Sequence, residues 1–120
     1  MPFKFEKLEI WKLAIDLADN VHTLTRSFPK EEIFSLSSQM KRAADSISLN
    51  IAEGSTGQSD PEQLKFLGYS LRSALEVVNC LYLAVRRNYF NQQQFDNFYS
   101  DQERLIIKVQ AFRSSIKNKS

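Results

Sequence analysis

The chain has 120 residues, of which 42% are hydrophobic, 12% aromatic and 25% charged, a composition that suits one compact domain over residues 1–120 and excludes intrinsic disorder. Only three Gly and three Pro are present, too few turn residues for a many-stranded sandwich or barrel. The formal net charge is +2, far below that of a dedicated nucleic-acid-binding domain, although residues 61–120 carry nine basic against five acidic residues, a net of +4.

Four segments with helical periodicity are separated by clusters of helix-breaking residues. The breaks lie at 28–30, at 54–61 and, more weakly, at 88–91. The sequence Ser-Asp-Pro-Glu that starts at Ser59 is typical of a helix N-terminus, and Gly54 can adopt the left-handed conformation that ends a helix. Short connections between long helices predict an all-α, antiparallel up-and-down four-helix bundle. Its helices are expected at about 7–26, 33–53, 60–88 and 92–117.

The first, second and fourth helices each show one apolar stripe that we assign to the core. The predicted core residues are Ile10, Leu13, Ala14, Leu17, Val21 and Leu24 in the first helix, Leu36, Met40, Ala43, Ala44, Ile47 and Ile51 in the second, and Phe95, Phe98, Leu105, Ile106, Val109, Phe112 and Ile116 in the fourth. The third helix is apolar on two sides. We assign its core stripe to Leu64, Leu67, Leu71, Ala74, Leu75, Val78, Leu81 and Val85, and a second stripe on the far side to Phe66, Ser73, Val77, Cys80 and Ala84.

The first helix carries an extra ridge beside its core stripe, which includes Trp11, Ile15 and His22. Two such ridges would expose apolar area of the kind that marks an interface, and small residues on the third helix would let another helix approach closely. We therefore predict a homo-oligomer with an interface formed by Trp11, Ile15, His22, Phe66, Ser73, Val77, Cys80 and Ala84. Replacing Val77 or Trp11 with Glu should then break the assembly and leave each chain helical. The alternative is a third helix with one wide apolar face and a Trp11 folded over the bundle edge.

Residues that carry catalysis or hold cofactors do not occur in a productive arrangement. His22 is the single histidine, which excludes a di-iron bundle. Cys80 lies in mid-helix among apolar neighbours, where thiols are usually inert. We predict no enzyme, with no catalytic residue, bound metal, cofactor or small-molecule substrate. One cysteine and no long apolar segment indicate a cytoplasmic protein with no membrane contact.

The basic residues of the second half support an alternative function, the binding of RNA or DNA. Arg104 and Lys108 lie on the opposite side of the fourth helix from Arg113 and Lys117, so one chain offers no continuous basic stripe. A symmetric oligomer could still collect this charge in a ring. The candidate contacts are Arg86, Arg87, Arg104, Lys108, Arg113 and Lys117.

Several motifs together resemble a known family. They are Phe5-x-x-Leu8-x-Ile10-Trp11-x-x-Ala14, Phe28-Pro29-x-x-Glu32, Gln39-x-x-Arg42-Ala43-Ala44-x-Ser46-Ile47, Asn50-Ile51-Ala52-Glu53-Gly54 and Phe66-Leu67-x-x-Ser70-Leu71. Over residues 3 to about 88 the chain resembles the four-helix bundle proteins named for the intervening sequences of bacterial 23S rRNA genes. The resemblance implies a bacterial, cytoplasmic, ring-like homopentamer of undefined molecular role.

The chain is also similar to the accessory protein of diversity-generating retroelements. That relative is a basic pentameric bundle that binds nucleic acid and works with a reverse transcriptase. The net charge of +2 departs from it and weakens the transfer of nucleic-acid binding. Leu49 is a lesser departure, since proline or a small residue is commoner there in the family.

Positions within these motifs predict a charged network. Arg42 and Glu53 share the face of the second helix opposite Met40, and Glu53 lies unfavourably at the negative end of that helix. We predict that Arg42, Glu53, Arg72 and Glu76 form a network that sets the geometry of the assembly, with four solvated charges as the alternative. The sequence thus predicts a non-enzymatic, homo-oligomeric interaction or scaffold module, with an RNA- or DNA-binding oligomer as the alternative.

Overall fold

The computed structural model describes residues 3–57 and 59–119; Gln58, within the second predicted break, lies outside them. The chain forms four helices, α1 (Glu9–Thr25), α2 (Leu36–Gly54), α3 (Asp60–Arg86) and α4 (Gln92–Lys119). Single 3-10 turns at Lys4–Lys7 and Lys30–Glu32 precede α1 and α2. The four predicted helices are confirmed. α1 and α2 start two and three residues later than predicted, because the 3-10 turn before α1 extends to Lys7 and residues 33–35 form a turn before α2.

The helices pack as an antiparallel bundle, with each helix against the next along the chain and α1 against α4. The bundle measures 46 × 23 × 22 Å, and the described residues contain no strand, so the predicted all-α four-helix bundle is confirmed. All six predicted core residues of α2 are buried, as are most of those in α1 and α4. Leu13, Phe98, Ile106 and Phe112 are half-buried at the edge of the core. No helix in the described ranges is long and apolar enough to cross a membrane.

The phase of α3 differs from the prediction. Leu75, placed in the predicted core, is 59% exposed, and the buried residues are Leu67, Ser70, Ala74, Val77, Cys80, Leu81 and Ala84. This core face combines the far stripe with only part of the stripe predicted as core. Its side chains are mostly small, so α2 of the same chain approaches closely. Helical periodicity gives the spacing of an apolar face, but it cannot say which of two apolar faces lies inside.

Both ends of α3 have well-defined caps. Ser59 is the N-cap and its side chain accepts a hydrogen bond from the backbone N–H of Glu62 at 3.2 Å, with proline in the first turn, as predicted. After Arg87, the backbone N–H of Tyr89 donates to the Ala84 carbonyl at 3.0 Å. Asn88 has φ = 61°, a left-handed conformation that asparagine tolerates better than most residues. This closing turn directs the chain from α3 into α4.

Gly54 does not adopt the predicted left-handed conformation. Among the described glycines, the positive φ belongs to Gly57, at 89°. Gly54 belongs to the last turn of α2 and lies against α3. A Cβ atom here would lie 3.0 Å from the Cβ of Phe66 and 3.3 Å from the carbonyl oxygen of Gln63. The position therefore requires glycine because the two helices approach closely.

Gly54→Ala is expected to destabilise the chain by about 1–3 kcal/mol through this overpacking. Gly68→Ala is the matched control, because its Cβ would meet the Arg113 guanidinium at ordinary contact distances, with Nη2 nearest at 3.6 Å. Gly68 lies inside α3, so alanine should stabilise the chain there by about 0.5–1 kcal/mol. Urea unfolding measures both values. A stabilising effect of Gly54→Ala would contradict the close helix approach.

Candidate interaction surface

A row of apolar side chains remains on the outer surface of α3. Leu71, Leu75, Val78 and Tyr82 recur at i, i+4, i+7 and i+11 and so share one side of the helix; we call them the α3 strip. Tyr82 is 49% exposed and Leu75 is more exposed still, whereas the other two are half-buried. The row extends over about 16 Å of helix. Leu71, Leu75 and Val78 belong to the stripe that the sequence assigned to the core, whereas Tyr82 was not part of it.

The α3 strip borders α4. The ring of Tyr82 contacts the rings of Phe95 and Tyr99, with centroids 4.9 and 6.3 Å away. Further along, the Gln102 side-chain amide donates to the carbonyl of Ala74 at 3.4 Å. The strip therefore runs beside α4, and a second helix laid on it would contact both helices.

A second apolar surface lies where α1 meets α2. It consists of Trp11 and Ile15 on α1 and Leu49 and Ala52 on α2, which we call the α1–α2 strip. Ile15 and Leu49 are exposed, and the other two are half-buried. Helices that follow one another along the chain are also neighbours around the bundle, so the side formed by α1 and α2 is opposite the side formed by α3 and α4. The α1–α2 strip and the α3 strip therefore lie on opposite sides of the bundle.

One contact lies at each end of the α1–α2 strip. His22 Nε2 lies 2.9 Å from Asp45 Oδ1, which joins α1 to α2. At the other end Trp11 packs edge-on against Phe5, with ring centroids 4.9 Å apart. Trp11 is therefore folded over the bundle edge, as the alternative prediction held. It still offers part of its ring to solvent.

The predicted interface is wrong on α3. Val77, Cys80 and Ala84 are buried in the core of the chain itself and cannot contact another subunit. Phe66 and Ser73 are half-buried on the side of α3 that faces α2, where the Ser73 hydroxyl lies 2.9 Å from that of Ser46. The small residues on this side do admit a helix, but that helix is α2. On α1, the predicted residues Trp11, Ile15 and His22 keep exposed surface.

The thiol and the imidazole stand apart from each other. Burial raises the pKa of the Cys80 thiol to about 11, which makes it a poor nucleophile. His22 is half-buried and bonded to Asp45. Within residues 3–57 and 59–119, no three His, Cys, Asp or Glu side chains are grouped to hold a metal ion.

The four residues of the predicted charged network do not pair with one another within one chain. Glu76 accepts a hydrogen bond from the Gln39 side chain at 3.2 Å, and the Arg72 guanidinium lies over the Tyr69 ring, 5.8 Å from its centroid. Arg42 and Glu53 are exposed and form no ion pair among the described residues. A network completed by a neighbouring subunit stays a prediction.

The six predicted nucleic-acid contacts do not meet in one patch. Arg87 is paired with Glu32 at 3.1 Å and Lys108 with Glu9 at 2.8 Å, and Arg113 Nε donates to the Leu64 carbonyl at 3.0 Å. The other three are Arg86, Arg104 and Lys117. Arg86 lies where α3 ends and Lys117 near the end of the antiparallel α4, so they are separated by more than about 30 Å of helix.

A buried acid that the sequence did not single out as a site joins two loops at one end of the bundle. Glu32 accepts hydrogen bonds from Ser35 Oγ at 2.6 Å, Tyr89 Oη at 2.5 Å, Leu36 N at 3.3 Å and Arg87 Nη1 at 3.1 Å. The bonds from Ser35 and Tyr89 contribute most to a pKa of about 2, below the ordinary 4.5. The ionised carboxylate thus connects the α1–α2 loop to the α3–α4 loop.

Glu32→Gln is expected to lower the melting temperature at pH 7. Because the pKa of Glu32 is depressed in the folded state, its stabilising effect is fully present above about pH 5 and is lost as the pH falls towards 2. The difference in melting temperature between the native chain and the variant should therefore shrink across this range in a thermal melt. Glu31→Gln, an exposed neighbour, should show little difference at any pH. A difference for Glu32→Gln that stays constant from pH 7 to pH 2 would contradict the assignment.

Comparison with known proteins agrees with the fold. The chain is similar to a solved structure described as a protein of unknown function from the S23 ribosomal protein family of Bacteroides thetaiotaomicron VPI-5482, with a TM-score of 0.81 and 23% identity over 88% of this chain and 95% of that one. No curated protein matches the sequence. The family model described as 23S rRNA-intervening sequence protein matches residues 6–111. With the helices, their order and most of this length in agreement, the chain belongs to the 23S rRNA-intervening sequence protein family.

Proposed function

We propose that this protein is a non-enzymatic interaction module that assembles with copies of itself through the α3 strip. The observation that carries the proposal is the exposure of Leu75 and Tyr82 in a continuous apolar row. Each such side chain gains about 1.5–3 kcal/mol when it is fully removed from water. A chain that leaves this row uncovered gains from covering it with another subunit.

The partner surface in this proposal is the α1–α2 strip of the next subunit. The two strips lie on opposite sides of the bundle, so their pairing is head-to-tail, and a head-to-tail interface closes into a ring when the rotation permits. The family resemblance implies a ring of five. Arg42 and Glu53, exposed on α2 near Leu49, would supply the charged rim that surrounds an apolar interface. The assembly would act in the bacterial cytoplasm, as the resemblance also implies.

Binding of RNA or DNA by the assembled ring is the alternative and has weaker support. It rests on the net charge of +4 in residues 61–120. Among its six candidate side chains, Arg87, Lys108 and Arg113 contact groups of the same chain. Nucleic-acid binding would weaken steeply with added salt, and its absence at low salt would exclude this alternative.

Mixing two variants tests the head-to-tail pairing. Leu75→Glu removes one surface and Leu49→Glu the other, so each variant alone is expected to be a monomer. Mixed in equal amounts, they retain one intact pair of surfaces and should form a heterodimer of twice 13.9 kDa. Light scattering on the mixture measures this mass. If Leu49→Glu assembles like the native chain, the α3 strip pairs with something other than the α1–α2 strip.

A further inference from the structure

A cleft of about 370 Å³ lies where α1 ends and α2 begins. Three basic side chains line it: Arg26 at the end of α1, Lys30 in the loop and Lys41 on α2. Arg26 and Lys30 are exposed and Lys41 is half-buried. No described residue forms an ion pair or hydrogen bond with any of these three side chains. The cleft therefore concentrates positive charge that the protein does not neutralise.

Two acidic residues near this cleft already bind other groups, and a third, Glu31, is exposed and pairs with none of the three cations. Asp45 is bonded to His22, which also lines the cleft. Glu32 in the loop is bonded to Ser35, Tyr89 and Arg87 instead. An anion that enters the cleft would thus meet the three cations without displacing an internal ion pair of any of them.

A buried serine in the same cleft has a hydroxyl that bonds to no described group. Ser37 lies in the first turn of α2 and is 4% exposed. Its side chain lines the cleft, and the small exposed part includes the hydroxyl oxygen, because no fully enclosed side-chain oxygen among the described residues lacks a partner. A hydroxyl in this position can donate to an anion, and the positive end of the α2 dipole adds to the attraction. The unpaired Ser37 hydroxyl is the observation that separates a built site from scattered surface lysines.

The cleft wall also has an apolar part, next to His22 and Thr25. Phe28 is buried and Ile33 is partly exposed, and both line the cleft beside the basic side chains. A bare inorganic anion would use only the polar part of this wall. A ligand with an apolar or aromatic group attached to its anion would use both.

From these contacts we infer that the cleft binds the phosphate of a small phosphorylated molecule. The phosphate dianion lies among Arg26, Lys41 and the Ser37 hydroxyl, and the substituent that it carries packs on Phe28 and Ile33. This site goes beyond the proposed self-association and does not depend on it, because it uses neither the α3 strip nor the α1–α2 strip.

Isothermal titration calorimetry on the full chain at fixed ionic strength tests the site, with phenyl phosphate and inorganic phosphate as the two ligands. Saturable binding of both is expected, with phenyl phosphate tighter by about threefold or more because of its ring. Equal affinity for the two would overturn the apolar part of the site and leave a site for the free anion. No saturable binding of either ligand would overturn the proposal.

Variants separate this site from general charge attraction. The double variant Arg26→Gln/Lys41→Gln should weaken phenyl phosphate binding by about tenfold or more. Its control, Lys12→Gln/Lys119→Gln, makes the same change in net charge at exposed positions outside the cleft and should bind like the native chain. Ser37→Ala should weaken binding by about fivefold while the chain stays folded, since the hydroxyl has no internal partner. Equal losses in the two double variants, or full affinity in Ser37→Ala, would overturn the site.

Discussion

Replacing Leu75 with Glu is expected to convert the assembly into monomers of 13.9 kDa without loss of helix. Leu75 is exposed in the single chain, so a charge there costs the fold little, within about 0.5 kcal/mol. At the centre of an apolar interface the same charge would be buried without a partner, which costs several kcal/mol per contact. Light scattering measures the mass and circular dichroism the helix content.

Ile107→Glu is the matched control for this variant. Ile107 is 58% exposed, nearly the same as Leu75, but it lies on the opposite side of α4 from the buried Leu105. Its replacement should leave the mass unchanged. If Leu75→Glu retains the native mass, or if Ile107→Glu dissociates equally well, the α3 strip is not the interface.

Val77→Glu is expected to unfold the chain. Val77 is 1% exposed, and a carboxylate placed there would meet no compensating charge or hydrogen bond, at a cost of about 4 kcal/mol or more. That is a large fraction of the stability of a small domain. Thermal unfolding monitored by circular dichroism measures the loss.

Val78→Glu is the control for Val77→Glu, one residue away but on the α3 strip. It should keep the helical spectrum and lose only the assembly. If the Val77→Glu variant stays folded and becomes monomeric, Val77 lies in the interface, as the sequence predicted. An unfolded Val77→Glu with a folded Val78→Glu would establish in solution which face of α3 is buried.

The buried face of a helix was predictable wherever one side of that helix is apolar and the other side is polar. The α2 stripe from Leu36 to Ile51 is buried as predicted, because the other side of that helix is polar and leaves no choice of face. On α3 both sides are apolar, so periodicity alone could not choose between Leu75 and Val77. The deciding factor is side-chain size against α2, a tertiary property that the sequence of α3 does not contain.

The candidate surfaces were predictable only in part. Trp11 and Ile15 were expected at the surface of α1 and are partly exposed there. Lys108 was expected to be available to nucleic acid but is paired with Glu9, 99 residues earlier in the chain. Likewise, the partners of Glu32 on the α3–α4 loop are more than 50 residues away. Such pairings depend on how the helices pack, and a single sequence has no local signal for them.

The central claim, that the uncovered α3 strip makes this chain an oligomer, is tested most directly by the absolute mass of the native protein in solution. Light scattering at micromolar concentration, at physiological and at high salt, is the measurement. For the ring of five that the family resemblance implies, the expected mass is five times 13.9 kDa, and high salt should not reduce it, because apolar contacts are not screened. A mass of 13.9 kDa at both salt concentrations would contradict it.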